Sequence, residues 1–259
     1  MGLADDIINT SPYLKLFVQA LCAAILINFG IYIDISSILW INYAITVFWI
    51  IGIMNSINML DNMDAITTLV SSSIVIGIIF NFIFINNIDY SFFIITSIGT
   101  LAALLSFIVF NWSPAKMYMG DNGSQFLGSF LATLGIIFFW NKSENATDFN
   151  ISKQLVIVGL AFLIPIIDTT TVTINRLMKG KSPFVGGRDH TTHHLSYLGL
   201  SEKQIALTYL FLSLISVFLS VYIINFVAVW SNKFLFLFGG YCLLIFTLLY
   251  ANTKYSKPK

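Results

Sequence analysis

Four short polar stretches carry the residues that could do chemistry in this chain. In GLADD, Asp5 and Asp6 are adjacent carboxylates. Such a pair can share a proton or set a base beside a metal-bound anion; an acidic helix start is the plainer alternative. In NSINMLDNMDAITT, Asn55, Asn58, Asp61 and Asp64 recur at every third position. Three such steps drift by about half a turn on an α-helix. Asn55 and Asp64 would therefore point apart unless the segment tightens or breaks, and a break at the membrane boundary is expected before Thr67 and Thr68. Amides and carboxylates together suit a nucleotide base, a ribose or a hard cation.

The third stretch, NWSPAKMYMGDNGS, sets Asp121 between Gly120 and an Asn-Gly turn. Glycine lets backbone approach a ligand closely. Ser124 or Asn122 is placed to cap the next helix, whose N-terminus favours phosphate. A lone carboxylate there suits Mg²⁺, which often takes one or two carboxylates plus substrate phosphates. The fourth, GRDHTTHHL at 187–195, holds every histidine of the chain: His190, His193 and His194. No second Cys or His cluster closes a zinc site, and the run lacks the glutamate of the zinc-protease helix motif. Beside Arg188, imidazoles suit hydrogen bonds to a phosphate or a sugar; a pH-sensing or purely structural cluster is the alternative. Asp168, eight residues before Arg176, would lie roughly 12 Å below a helix end. A carboxylate at that depth needs partners. Thr169 to Thr171 and Asn175 are the expected ones, and the group reads as structural.

The elements that must position these residues are membrane helices. The chain is 57% hydrophobic and 10% charged, with mean hydropathy +0.85, where a soluble domain carries about a quarter charged residues. Apolar runs cover 14–33, 38–55, 66–86, 91–111, 125–140, 153–175, 204–226 and 233–251. Runs of this length read as spans, so the expected fold is an all-α, polytopic integral membrane bundle of about eight helices. Cys22 and Cys242 lie inside apolar runs and read as small core residues. The sequons at Asn141 and Asn145 carry no weight.

Eight spans make the loops alternate. Lys15, Lys116, Arg176, Lys179, Lys181, Arg188, Lys203, Lys254, Lys257 and Lys259 fall on one side, with both chain ends. Lys142, Lys153 and Lys233 fall on the other. Basic excess marks the cytoplasmic face. The same side receives Asp5, Asp6, Asp61, Asp64, Asp121, Asp189 and all three histidines, whereas Asp34, Asp89, Glu144 and Asp148 scatter opposite. A transporter keeps its polar site near the midplane. Polar groups gathered at one face point instead to an enzyme that takes a water-soluble substrate from the cytosol.

In this order the four clusters resemble the polyprenyl-phosphate N-acetylhexosamine-1-phosphate transferases, a family that includes the peptidoglycan translocase. GLADD is similar to the family's aspartate pair, and NSINMLDNMDA to its Asn-x-x-Asn-x-x-Asp-x-x-Asp motif. NWSPAKMYMGDNGS resembles its Asn-x-x-Pro-Ala-x-x-x-Met-Gly-Asp-x-Gly-Ser signature, and KSPFVGGRDHTTHHLSYLGLS its histidine loop. The resemblance implies transfer of a sugar 1-phosphate, N-acetylglucosamine 1-phosphate or a related one, from a UDP-sugar to undecaprenyl phosphate, with release of UMP. It implies Mg²⁺, with Mn²⁺ as the alternative, held by Asp121 with Asn58. Asp5 would activate the lipid phosphate, with Asp6 its neighbour. Asn55, Asn58, Asp61, Asp64 and Asn111 would bind the donor, and Arg188, His190, His193 and His194 would grip sugar and phosphate. The implied partners are the UDP-sugar, the polyprenyl phosphate and the lipid bilayer, with no nucleic acid; a homodimer stays open. The implied place is the bacterial cytoplasmic (inner) membrane, crossed many times, with the site on the cytoplasmic face. Phospho-MurNAc-pentapeptide transfer, a transporter, and a non-catalytic partner on the same scaffold are the rivals. Two features depart from the pattern. Asn62 and Ala65 stand where the family has glycine. The family also has some three spans and a basic loop before the aspartate pair, so residues 1–259 read as one membrane domain without those helices, expected to be inactive alone.

Overall fold

A long apolar run in lipid must pair its own backbone N–H and C=O groups, and a helix does this within one segment. The computed structural model describes residues 1–8, 10–84, 91–141, 150–183 and 186–256, and all regular structure there is helical. The elements are α1 (Gly2–Ile8), α2 (Pro12–Asn28), α3 (Leu39–Leu60), α4 (Ile66–Ile83), α5 (Ser91–Asn111), α6 (Gly120–Gly135), α7 (Ile151–Ala161), α8 (Leu163–Met178), α9 (Thr191–Tyr197), α10 (Glu202–Phe226) and α11 (Asn232–Tyr255). A π-helical turn, Ile136–Trp140, prolongs α6.

Among the described residues each of the eight apolar runs contains a helix, but they do not all make straight spans. Among the described residues six helices are long and apolar enough to cross a membrane: α3, α4, α5, α6 with its π-turn, α10 and α11. The run at 153–175, expected as one span, is instead α7 and α8 joined at an 87° bend, which makes seven if the pair counts as one. The cause lies in Pro165. It has no N–H to offer the Ala161 carbonyl, and its ring crowds that carbonyl. α7 accordingly stops at Ala161, and Pro165 sits in the first turn of α8, where proline is tolerated. The run at 14–33 yields the 17-residue α2, shorter than the six.

The protein is thus a multi-pass membrane helical protein, and contacts between its ends sort the loops as the alternation requires. At one end Asn141 bonds Asp34 N and Tyr32 O, Lys153 Nζ reaches Val227 O, and Trp230 Nε1 reaches Ser152 Oγ. At the other, Asp64 meets Ala115, Ser113 meets Glu202, and Asn175 meets Lys254. Asp89, Lys142, Glu144, Asn145, Asp148, Lys257 and Lys259, which the charge and sequon readings use, lie outside the described residues.

The core centres on α3, α6 and the α7–α8 bend. Trp49 stands edge-on to Phe162 at 4.9 Å and to Trp140 at 5.6 Å, and its indole N–H donates to Ala132 O at 2.9 Å. One contact here positions the site. A Cβ added to Gly128 would lie 2.8 Å from the Cα of Met54, so α3 and α6 touch backbone to backbone, as small residues permit. One turn nearer the polar end, that approach brings Asn58 of α3 against Asp121 and Ser124 of α6.

Candidate active site

The site begins where α1 docks on the start of α6. Gly2 packs so tightly on the Asn122 backbone that a side chain there would clash. This docking separates the two adjacent aspartates. Asp6 turns to the α6 N-terminus and accepts from Asp121 N at 2.9 Å and Asn122 N at 3.1 Å. A carboxylate there satisfies two otherwise unpaired N–H groups and complements the helix dipole. The cap foreseen from Ser124 or Asn122 is therefore supplied by Asp6, and the N–H groups read as a phosphate cradle are occupied by it. Ser124 instead donates back to Gly120 O.

Asp5 faces the other way. Its Oδ1 accepts from Thr10 N and Thr10 Oγ1, and its Oδ2 pairs with the Lys15 ammonium. The same ammonium lies 2.9 Å from Asp121 Oδ2, while Asn58 Nδ2 donates to Asp121 Oδ1 at 3.0 Å and to Ser124 Oγ at 2.9 Å. Burial works to raise the Asp5 pKa, but hydrogen bonding with Asp121, Lys15 and Thr10 outweighs it and holds the carboxyl well below the usual range. Two carboxylates thus converge on one cation. Mg²⁺ takes oxygen donors of this kind when substrate phosphates complete its shell, and here the Lys15 ammonium stands between the two carboxylates. Among the described residues no group of three or more His, Cys, Asp or Glu side chains could hold a metal unaided. Asn58 turns its amide nitrogen to Asp121, so as placed it orients that carboxylate.

The Asn/Asp repeat breaks where the half-turn drift requires. α3 ends at Leu60, and a turn carries the chain to Ala65, which has φ 69°. Ala65 therefore stands in the left-handed region that favours glycine, at one of the two positions where the family pattern has it. The break spreads the four residues over different tasks. Asn55 bonds Gln19 and Ile51 O inside the bundle, and Gln19 continues to Gln125. Asp61, half-buried, has its pKa pushed up to about 6, by burial first and then by the charges of Asp121 and Asp64. Asp64 accepts from Ala115 N at 2.8 Å. Asn111 accepts from Ala65 N and Thr68 Oγ1 and donates to Met117 O. Asp64 and Asn111 thus hold the turn and the 112–119 loop together.

The histidine loop joins this belt through Asn62, whose Oδ1 accepts from Thr192 Oγ1 at 2.5 Å. The loop is anchored by Arg176, which is 5% exposed. Its Nε and Nη2 clamp the two carboxylate oxygens of Asp189 at 2.8 and 2.7 Å, and its Nη1 donates to Pro183 O. Against burial, which works to raise it, this arginine keeps the Asp189 pKa below the usual range. His190 bonds Asp168, and His194 Nδ1 lies 2.6 Å from Ser256 Oγ. The His193 ring is 5.8 Å from that of His190. Burial lowers the pKa of both His193 and His194. Fixed positive charge on the loop therefore rests with exposed Arg188 more than with these imidazoles. Asp168 finds its partners in His190 and Thr191, not in Thr169 to Thr171 or Asn175; Asn175 bonds Thr253 and Lys254.

Asp5, Asp6, Asn58 and Asp121 thus meet directly, and Asp61 and Asp64 border them. His190, His193 and His194 adjoin through the Asn62–Thr192 bond, Asn55 points into the bundle, and Arg188 stands at the exposed rim. Sequence reasoning passed over Lys15 and Arg176. Lys15 is the one basic residue of the first 115 and stands ten positions after Asp5, a signal left unused; Arg176 sits among Lys179, Lys181 and Arg188, and only its burial with Asp189 marks it.

Comparison with known proteins fits this arrangement. Over 245 residues the chain is 28% identical to the probable undecaprenyl-phosphate N-acetylglucosaminyl 1-phosphate transferase of Bacillus subtilis (strain 168), covering 91% of this chain and 65% of that protein. It is 29% identical over 184 residues to the phospho-N-acetylmuramoyl-pentapeptide-transferase of Oceanobacillus iheyensis, covering 71% of this chain and 52% of that one. The protein of that name in Staphylococcus aureus (strain Newman) matches at 30% over 177 residues, 68% of this chain and 50% of its own. The chain therefore spans about half to two-thirds of the length of these relatives. Residues 1–139 match the pattern of glycosyl transferase family 4, and they contain the aspartate pair, the Asn/Asp repeat and Asp121. With more than half of its length matched there, the chain belongs to glycosyl transferase family 4.

Proposed function

We propose that this protein transfers N-acetylglucosamine 1-phosphate, or a related N-acetylhexosamine 1-phosphate, from a UDP-sugar to undecaprenyl phosphate and releases UMP. An oxygen of the lipid phosphate attacks the sugar-bearing phosphorus of the donor. The bond from that phosphorus to the bridging oxygen breaks, and UMP leaves with that oxygen. Such a step asks for neutralised charge and aligned oxygens more than for covalent chemistry. The observation that carries the reading is the convergence of Asp5 and Asp121 on Lys15, beside Asn58 and at the same end of the bundle as the histidine loop.

Asp121, oriented by Asn58, and Asp5 would hold Mg²⁺, or Mn²⁺ in its place, and the ion would supply charge neutralisation on the donor pyrophosphate. With its carboxyl held low, Asp5 is a weak base. A phosphate monoester with its second pKa near 6 is already mostly dianionic at neutral pH, so Asp5 acts by placing positive charge more than by taking up a proton. Asp61 and Asp64 border the donor's place, and His190, His193, His194 and Arg188 face its sugar and phosphate groups. The basic excess puts this end of the bundle at the cytoplasmic face of a bacterial inner membrane, where a soluble nucleotide sugar is available.

The phospho-N-acetylmuramoyl-pentapeptide reading is second, favoured by relatives of that name at 29–30% identity. The first is preferred because its relative aligns with 91% of the chain. Radiolabel transfer into polyprenyl phosphate from a panel of UDP-sugars decides between them. Labelled lipid with stoichiometric UMP from UDP-N-acetylglucosamine is expected. Label only from the muramoyl-pentapeptide donor selects the second reading, and flux without UMP release rejects both.

A further inference from the structure

A second buried polar centre lies inside the bundle behind the histidine loop. Asp168 of α8 is 1% exposed, and Thr191 and Tyr209 are completely covered. Two donors and one imidazole nitrogen converge on the Asp168 carboxylate. Thr191 N and Thr191 Oγ1 lie 2.8 and 2.5 Å from Oδ1, and His190 Nδ1 lies 2.8 Å from Oδ2. The Tyr209 hydroxyl, 2.6 Å from Thr191 Oγ1, completes the chain. Since the threonine hydroxyl donates to Asp168, the tyrosine donates to the threonine. His190 is the residue just before α9 and Thr191 the first within it. One carboxylate therefore holds both the first backbone N–H of α9 and the ring of the preceding histidine.

We infer that Asp168 is the positioning residue of His190: it keeps the proton on Nδ1 and so reserves Nε2 as the nitrogen the imidazole offers to the donor's phosphate or sugar. Asp168 already accepts two hydrogen bonds from Thr191, which marks it as an acceptor, so the hydrogen between Oδ2 and Nδ1 is assigned to Nδ1. The nitrogen bonded to a second group sets which nitrogen is left for substrate. The inference rests on the proposed function only for what Nε2 meets. The tautomer itself stands on the geometry.

The asparagine variant makes the idea sharp. In Asp168→Asn the amide oxygen can keep both Thr191 donors, which leaves the NH₂ group facing His190. An NH₂ there cannot accept from Nδ1–H, so the ring must present a bare Nδ1 and carry its proton on Nε2. The fold is retained and the tautomer is reversed.

The chain has only three histidines, so ring-¹⁵N-histidine labelling of the full chain in lipid nanodiscs yields three ring pairs, assigned with single His→Gln variants. At pH 8.5 the wild-type His190 is expected to carry a proton on Nδ1, whether its ring is neutral or cationic; a bare Nδ1 overturns the inference without recourse to any variant. In Asp168→Asn the proton should move to Nε2 at His190, with His193 and His194 unchanged. An unaltered His190 pattern in a folded variant also overturns it. In the transfer assay, Asp168→Asn should lower kcat by about 10–100-fold, the usual loss when an outer partner of a working histidine is removed. It should add no further loss in a His190→Gln background; multiplicative losses would mean that Asp168 acts elsewhere. If no UDP-sugar supports transfer by the wild type, the kinetic comparison drops out and the tautomer measurement alone decides this inference.

Discussion

Asp121 ties three parts of the site together: its carboxylate meets Lys15 and Asn58, and its backbone N–H donates to Asp6. Asp121→Asn keeps the shape and removes the charge. Transfer measured by UMP release should fall by about 10²–10³, the usual loss of a key electrostatic group, and near-normal turnover would remove Asp121 from the chemistry. Asp61 predicts an opposite pair of effects. Its folded carboxyl titrates at about 6, against an ordinary 3.8. The protonated form therefore favours folding below pH 4, and that contribution is lost as the pH rises through 6. At pH 7.5 the ionised group weakens the fold, so Asp61→Asn should stabilise the protein there by about 1–2 kcal/mol, allowing for partial exposure. At pH 4 it should have little effect. Thermal unfolding at the two pH values checks this, and equal shifts at both would dismiss the raised pKa. Reduced transfer in the same variant would mark Asp61 as a group kept for function at a cost in stability.

At the scale of elements, the site depends on how closely α3 and α6 approach. The Gly128–Met54 contact leaves no room for a methyl group without moving backbone. Gly128→Ala should therefore separate the helices, cost about 1–3 kcal/mol from overpacking and depress transfer by displacing Asn58 from Asp121. Gly159→Ala in α7 is the control. Nothing lies within 4 Å of the added carbon, so only the small helix-propensity gain of alanine remains. Equal behaviour of the two variants would show that the close approach is not what positions the site. The elements were legible in part. Each of the eight apolar runs holds a helix, and one holds two, because hydropathy over twenty residues reports what a span needs. The α7–α8 bend was missed although Pro165 was in view, because the run stays apolar across the break.

At the scale of the whole molecule, the pairs that meet at each end of the bundle agree with the alternation of loops among the described residues, and charge proposes its direction. Lys181 and Ser37 are exposed at opposite ends. In a background with Cys22 and Cys242 replaced by alanine, Lys181→Cys should be modified only by a reagent that reaches the cytoplasm. Ser37→Cys should react with an impermeant reagent added to intact cells. Labelling of both from outside would reverse or abolish the proposed orientation, and with it the supply of donor from the cytosol.

The chain's residues alone determined the class of fold and which polar groups gather at one end of the bundle, since hydropathy, basic excess and short motifs are local properties that survive without coordinates. Even the break in the Asn/Asp repeat followed from the mismatch between a three-residue spacing and 3.6 residues per turn. Which partner each group takes was decided only in three dimensions. Asp5 and Asp6 are neighbours in sequence, yet one meets Lys15 and the other caps α6. Asp168 turned from its own threonines to a histidine 22 residues away, and Arg176 became the anchor of the loop rather than one more basic residue at a helix end. A buried charge must find its complement wherever packing brings one within about 3 Å, and which one comes that close is a property of the assembled helices.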